Sequence, residues 1–306
     1  MAIAARFFAA ITMLALPALA RAQERPDGPF PWQMDFQNPA SLVMEYIEWF
    51  SWYTLIIVAL VVVFVLALLG WCILRFRESA NPTPSRVTHN TLVEVLWTVI
   101  PVFILVAIAI PSFKLLYGQY DPSKLYADFD PAKDRFLTVK FSGVQWAWDV
   151  SYPNDEENAA MGVAEPISVY MLPLPQDQLK EGQVRLLSVD NPVIVPVDTF
   201  IRVQVTADGD AIHALAMPAF GLKEDAVPGR LNETYFKAER EGVFYGQCSE
   251  LCGKDHAFMP LEIRVVSQDK FRAWAAQAAS DLPAAYQVLA ASIEKDKQEQ
   301  QRVAAR

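Results

Sequence analysis

Apolar and polar residues fall along this chain in blocks, and each block predicts a different element. Residues 1–22 carry one early charge, Arg6, then the short apolar run Phe7 to Leu19. Two small-x-small sites follow, Ala18-Leu19-Ala20 and Ala20-Arg21-Ala22, so the stretch reads as a secretory signal cleaved after Ala20 or Ala22. Residues 23–52 form an external stretch, in which Arg25 to Pro39, with four prolines and little periodicity, is expected to be extended. Tyr53 to Leu74 is free of charge and long enough to cross a bilayer. Trp49, Trp52 and Tyr53 at one end and Trp71 at the other would sit in the two interfaces. A second span, residues 91–116, is interrupted by Pro101 and Pro111 and carries one acid, Glu94.

Between the spans, residues 75–90 hold Arg75, Arg77 and Arg86 against the single acid Glu78. Positive loops stay inside, so this one is cytoplasmic and both flanking regions lie outside, in a bacterial periplasm. From residue 117 the pattern changes to short β-rich runs separated by turn residues. These are Phe136 to Phe141, Gln145 to Val150, Ile167 to Met171, Arg185 to Val189, Thr199 to Thr206, Thr234 to Ala238, Val243 to Gln247 and Leu261 to Val266. Runs of this length and spacing predict a β-sandwich or barrel over residues 117–280. Gln268 to Ala279 reads as a helix, and residues 281–306 as a polar tail, either an exposed helix or disordered.

Charge narrows the partners. The net charge of −9 argues against nucleic acid, which calls for a basic face. Residues 121–272 hold 24 Asp and Glu against 15 Lys and Arg, an excess suited either to solubility or to steering a basic partner. Of the three cysteines, Cys72 lies in an apolar run and reads as a small buried hydrophobe.

The other two cysteines belong to the chemical centre of the chain, Cys248-Ser-Glu-Leu-Cys252-Gly-Lys-Asp-His256-Ala-Phe-Met259. A second imidazole, His213, lies upstream. Soft sulfur donors with imidazole suit copper, and a weak axial Met marks electron-transfer copper sites. One such copper needs a single Cys. Two thiolates that each bridge two metals leave one His per metal, so the inventory fits a binuclear centre better. Three plainer readings stand beside it: a Cys-x3-Cys disulfide, a structural tetrahedral zinc, and Met259 as core filling.

The stretch resembles subunit II of the haem–copper cytochrome c oxidases. Besides the Cys/His/Met cluster, the resemblance rests on Pro218-Ala219-Phe220-Gly221, on Asp225 to Arg230, and on Phe141-Ser-Gly-Val-Gln-Trp146-Ala-Trp148. It implies two copper ions bridged by Cys248 and Cys252, with one each on His213 and His256. Met259 would be a weak ligand and Glu250 would contribute its backbone carbonyl. The Glu250 carboxylate would hold a magnesium ion shared with subunit I. The fold implied is a membrane-anchored all-β protein: a two-helix transmembrane hairpin followed by a cupredoxin-like Greek key. His213 would sit on a loop.

The resemblance further implies that Trp146 takes electrons from cytochrome c. Glu94 would form the cytoplasmic mouth of a proton channel completed by subunit I, which holds the haem; subunit III would join the complex. Asp155, Glu156, Glu157 and Asp190 would form the donor-docking face. This chain departs from the family at Ala147, Ser188 and Ala214-Leu215, where an aromatic, an acid, and Ser plus an aromatic are common. A quinol oxidase subunit would lack the copper ligands kept here. A free-standing anchored electron carrier or a copper-delivery protein would need neither Glu94 nor the Glu250 carboxylate.

Overall fold

A computed structural model describes residues 28–304; the expected signal at 1–22 lies outside them. Helix α1 (Leu42–Arg75) and helix α2 (Thr91–Gly118) form the anchor, crossing side by side. Their middle stretches turn apolar side chains such as Leu60, Phe64, Phe103 and Leu105 outward on every side, as a membrane helix does. Tyr53 Oη donates to the Ala107 carbonyl and ties the two together.

Helix α1 starts eleven residues earlier than the charge-free window suggested. Its N-cap is Ser41, whose hydroxyl accepts from Met44 N and donates to the Phe220 carbonyl at 2.8 Å. Val43 and Met44 are buried against the β domain. The last eleven residues of the expected external segment are therefore the first turns of α1, seated on the domain before the helix leaves it.

The domain is a sandwich of two five-stranded sheets. The strands are β1 (Phe136–Val144), β2 (Ala147–Tyr152), β3 (Ile167–Met171), β4 (Val193–Pro196), β5 (Phe200–Ala207), β6 (His213–Met217), β7 (Leu222–Ala226), β8 (Asn232–Lys237), β9 (Gly242–Cys248) and β10 (Pro260–Val266). One sheet has the order β3-β2-β1-β5-β8 and the other β4-β10-β9-β6-β7. Pairs β1–β5 and β4–β10 run parallel and the remainder antiparallel. Trp148, Phe141, Phe220, Phe236 and Phe244 fill the space between the sheets.

Three short strands escaped the sequence pattern: β4, β6 and β7. The Ala-rich β6 has little intrinsic β propensity and is held by its neighbours β7 and β9. Conversely, Arg185 to Val189 is not a strand. Val184 N donates to Ser188 Oγ and Leu187 N to the Val184 carbonyl, so a local turn takes the backbone groups a ladder would need. Only Val189 bridges, to Pro173.

A short helix, α3 (Glu156–Met161), follows β2. Helix α4 (Gln268–Ala278) and helix α5 (Leu282–Ala304) close the C-terminal side. The tail is thus an ordered helix that packs on α4: Ala285 and Leu289 are buried, and Tyr286 Oη donates to the Pro192 carbonyl at 2.7 Å. Its apolar positions, Leu282, Ala285, Tyr286, Leu289 and Ile293, recur at helical spacing.

Candidate metal centre

Two strand ends of the second sheet bring the donors together. Strand β6 begins at His213, β9 ends at Cys248, and Leu215 pairs with Cys248 across them. The chain from Ser249 to Met259 then loops back into β10. Cys248 N donates to the Met259 carbonyl at 3.0 Å and Ser249 N to the Ala214 carbonyl at 3.0 Å, fixing both ends of this loop against the strands. His213 therefore lies at the first residue of a strand rather than on a loop.

The thiols of Cys248 and Cys252 are 3.8 Å apart and unbonded, which removes the disulfide reading. Each sulfur faces its own imidazole: His213 Nδ1 is 3.9 Å from Cys248 Sγ, and His256 Nδ1 is 3.6 Å from Cys252 Sγ. The donor atoms of His213, Cys248 and Cys252 all lie within 4.8 Å of one another. The Glu250 carbonyl lies 3.3 Å from Cys248 Sγ while its side chain is exposed, so backbone and carboxylate face opposite surroundings. Met259 is buried beside them.

Burial, then the neighbouring Cys248, pushes the Cys252 thiol up to about 12. Burial, then the proximity of His256, lowers the basicity of His213. A Cys252 thiol that loses its proton only to a strong Lewis acid, beside a His213 of lowered basicity, is the state in which a metal site waits to be filled. The donor set, with two sulfurs between two imidazoles and a thioether nearby, fits the soft-metal centre expected from sequence.

Trp146, half-buried, lies against this loop. Its Nε1 donates to the Cys252 carbonyl at 3.2 Å, and Gln145 Nε2 donates to the same oxygen at 2.9 Å. Gly253, at φ +122°, makes room for the indole: a Cβ there would stand 3.0 Å from Trp146 Cζ2. Sequence reasoning missed Gln145. Its place directly before Trp146 was the available signal, but the sequence pattern put it in a strand, whereas the strand starts only at Ala147.

The four expected docking acids do not share a face. Asp190 is at the Trp146 end, its carboxylate accepting from Leu172 N just beyond the Met171–Trp148 pair. Asp155, Glu156 and Glu157 sit at the opposite end of β1 and β2, where Asn158 of α3 bonds the backbone of Thr138. From Thr138 to Gly143, beside His213, is about 17 Å at roughly 3.3 Å per strand residue. That is about two screening lengths at physiological salt. Asp155 caps α3 and Glu157 pairs with Arg202 at 2.9 Å, so these acids also have local work. Ser188, the other departure, is buried and accepts from Val184 N.

Glu94 lies in the first turn of α2, half-buried, far along the chain from the thiols. The Asn90 side chain accepts from Val93 N, and Glu94 Oε1 accepts from Asn90 N at 3.1 Å. This reciprocal arrangement caps the helix.

Fold and donor set together define a membrane-anchored, cupredoxin-like protein with a candidate soft-metal centre at one end of its sandwich. Comparison with known proteins narrows this class. The family described as "Cytochrome C oxidase subunit II, periplasmic domain" matches residues 137–266, and "Cytochrome C oxidase subunit II, transmembrane domain" matches residues 29–115. A probable cytochrome c oxidase subunit 2 of Rickettsia felis is 44% identical over 248 residues, covering 81% of this chain and 72% of that one. Cytochrome c oxidase subunit 2 of Cereibacter sphaeroides is 42% identical over 258 residues, covering 82% of each chain. The crystal structure of the periplasmic domain of subunit II of Bradyrhizobium japonicum cytochrome oxidase is 54% identical, with a TM-score of 0.40, over 46% of this chain and 92% of that one. The chain belongs to the family of cytochrome c oxidase subunit II, a component of the haem–copper oxidases.

Proposed function

We propose that this chain is the electron-accepting subunit of a cytochrome c oxidase, taking electrons from cytochrome c and serving the haem of subunit I, where oxygen is reduced to water and protons are pumped. The observation that carries the reading is the pair of buried, unbonded thiols 3.8 Å apart, each with its own imidazole nitrogen. Cys248 and Cys252 would hold two copper ions between them, with His213 and His256 on either side and Met259 and the Glu250 carbonyl completing the set. When bound, such a pair supplies one-electron exchange. The rigid strand ends under Cys248 and His213 keep the donors in place, which limits rearrangement as charge changes.

Trp146 is the residue through which the electron would arrive, because its indole both reaches the surface and donates to the Cys252 carbonyl. Asp190 is the docking acid that shares its end of the sandwich. Asp155, Glu156 and Glu157 would contribute only to the longer-range field that steers a basic donor. The exposed Glu250 carboxylate is available to a magnesium ion shared with subunit I. The three-arginine loop between α1 and α2 supports a cytoplasmic placement, with the sandwich in the periplasm and Glu94 at the inner surface.

The test is metal stoichiometry. The full chain loaded with copper is expected to hold two coppers and to be purple, and Cys248→Ser or Cys252→Ser to lose that spectrum. One copper per chain with a blue mononuclear spectrum would overturn the two-thiolate bridge. Co-purification of a haem-bearing large subunit in mild detergent separates the oxidase from a free-standing anchored carrier.

A further inference from the structure

We propose that Gly143 is a positioning residue for His213: the side chain it lacks is the space that the imidazole occupies. Gly143 lies near the end of β1, on the sheet opposite His213. A Cβ built there would stand 2.8 Å from both Cδ2 and Cγ of the ring and 2.9 Å from the His213 Cβ. These are not the far end of a flexible side chain, so the contact cannot be relieved by a rotamer change alone.

Neither wall of this contact is free to retreat. Strand β1 is the central strand of its sheet, paired through Gly143 with Trp148 of β2 and with Ala207 of β5. The Gly143 carbonyl also accepts from Asp208 N at 3.0 Å, and Ser142 Oγ donates to the Asp208 carboxylate at 2.8 Å. On the other side, His213 is fully buried, its ring is flanked by Trp148 with centroids 6.2 Å apart, and its Nδ1 faces Cys248.

Metal-binding histidines are usually aimed by a hydrogen bond from the second ring nitrogen. His213 Nε2 is buried and has no hydrogen-bond partner among the described residues. Packing is left to set the ring's tilt, and Gly143 is the position in that packing where a side chain would collide with the ring. Glycine inside a strand often marks such a close approach. The positioning of a metal ligand rests on the metal reading above; the packing itself does not.

A double-mutant cycle in the full detergent-solubilised chain separates the two. Without metal, Gly143→Ala should lower the melting temperature by roughly 3–10 °C when His213 is present, the range for overpacking a core. In the His213→Ala background the same change should have no comparable effect. A Gly143→Ala chain that folds only in the His213→Ala background supports the proposal equally. An equal loss in both backgrounds, or failure to fold in both, overturns the proposal, because β1 would then need glycine for its own sake. After loading with copper ions, Gly143→Ala should keep the metal content of the parent chain but shift its electron paramagnetic resonance hyperfine pattern. An unaltered pattern overturns the positioning role. A parent chain that takes up no copper pair sinks the metal reading instead, while the metal-free cycle still decides whether Gly143 sets the ring.

Discussion

Glu94 has two candidate roles, and one pair of substitutions separates them. Its carboxylate accepts the Asn90 N–H at 3.1 Å, so it helps cap α2 whatever else it does. Glu94→Ala removes that acceptor and the charge near the helix N-terminus, together about 1 kcal/mol of local helix stability. Glu94→Gln keeps an oxygen acceptor of the same reach and loses only the ionisable proton. If the residue merely caps the helix, the Gln variant should match the parent and the Ala variant should show a small loss of stability. If it gathers protons for the partner subunit, both should slow oxygen turnover by at least about tenfold, a barrier of roughly 1.4 kcal/mol. Copper reduction by cytochrome c should stay fast in both, since Glu94 lies in the first turn of α2 and only the far end of that 28-residue helix meets the β domain that holds the thiols. The assay is stopped-flow reduction of copper and haems in the purified complex, with steady-state oxygen uptake beside it. Full turnover in Glu94→Gln would refute the proton role.

Two further outcomes follow from the same geometry. Trp146→Phe keeps a ring over Gly253 but loses the N–H to the Cys252 carbonyl, which Gln145 still satisfies. It should cost about 1 kcal/mol of stability, and Gln145→Leu a similar amount. Removing both should cost more than the sum, because that carbonyl loses both side-chain donors; additivity within roughly 0.5 kcal/mol in thermal melts would refute the shared-acceptor picture. Trp146→Phe should also slow electron uptake from reduced cytochrome c at unchanged copper content, read by stopped flow. Leu289→Ala, in the buried stripe of α5, should destabilise the domain by about 2–4 kcal/mol. A change below roughly 0.5 kcal/mol by denaturant titration would show that the tail helix is not part of the core.

What the sequence made legible was local. The cluster from Cys248 to Met259 could be read because its donors share one short loop, and their chemistry is specific enough to stand out from packing. The long apolar windows located both membrane helices. They missed the start of α1, because Glu45 and Glu48 interrupt the window and an N-cap such as Ser41 leaves no mark in hydropathy. The tail misled in the same way: its charges hid the stripe Leu282, Ala285, Tyr286, Leu289 and Ile293, which a helical wheel exposes. The docking acids show how sequence spacing and position diverge. Asp155 follows Trp146 by nine residues, yet the intervening strand carries the chain to the other end of the sandwich. Nearness in sequence became distance in space because strands are extended.

The relation that aims His213 could not be read from any window. Gly143 and His213 are seventy residues apart, on strands of different sheets, and meet only because Trp148, Phe141 and their neighbours bring the sheets together. The division of labour between the sheets follows from this. The second sheet supplies the donors: His213 at the head of β6, and Cys248 at the end of β9 with the loop beyond it. The first sheet supplies what holds them: Gly143 against the imidazole, and Gln145 and Trp146 on the Cys252 carbonyl. The centre is therefore set by the packing between the sheets as much as by its ligands. Core substitutions that change the sheet separation at this end should disturb the His213–Cys248 side before they unfold the domain, because close-packed interiors transmit displacement rather than absorb it.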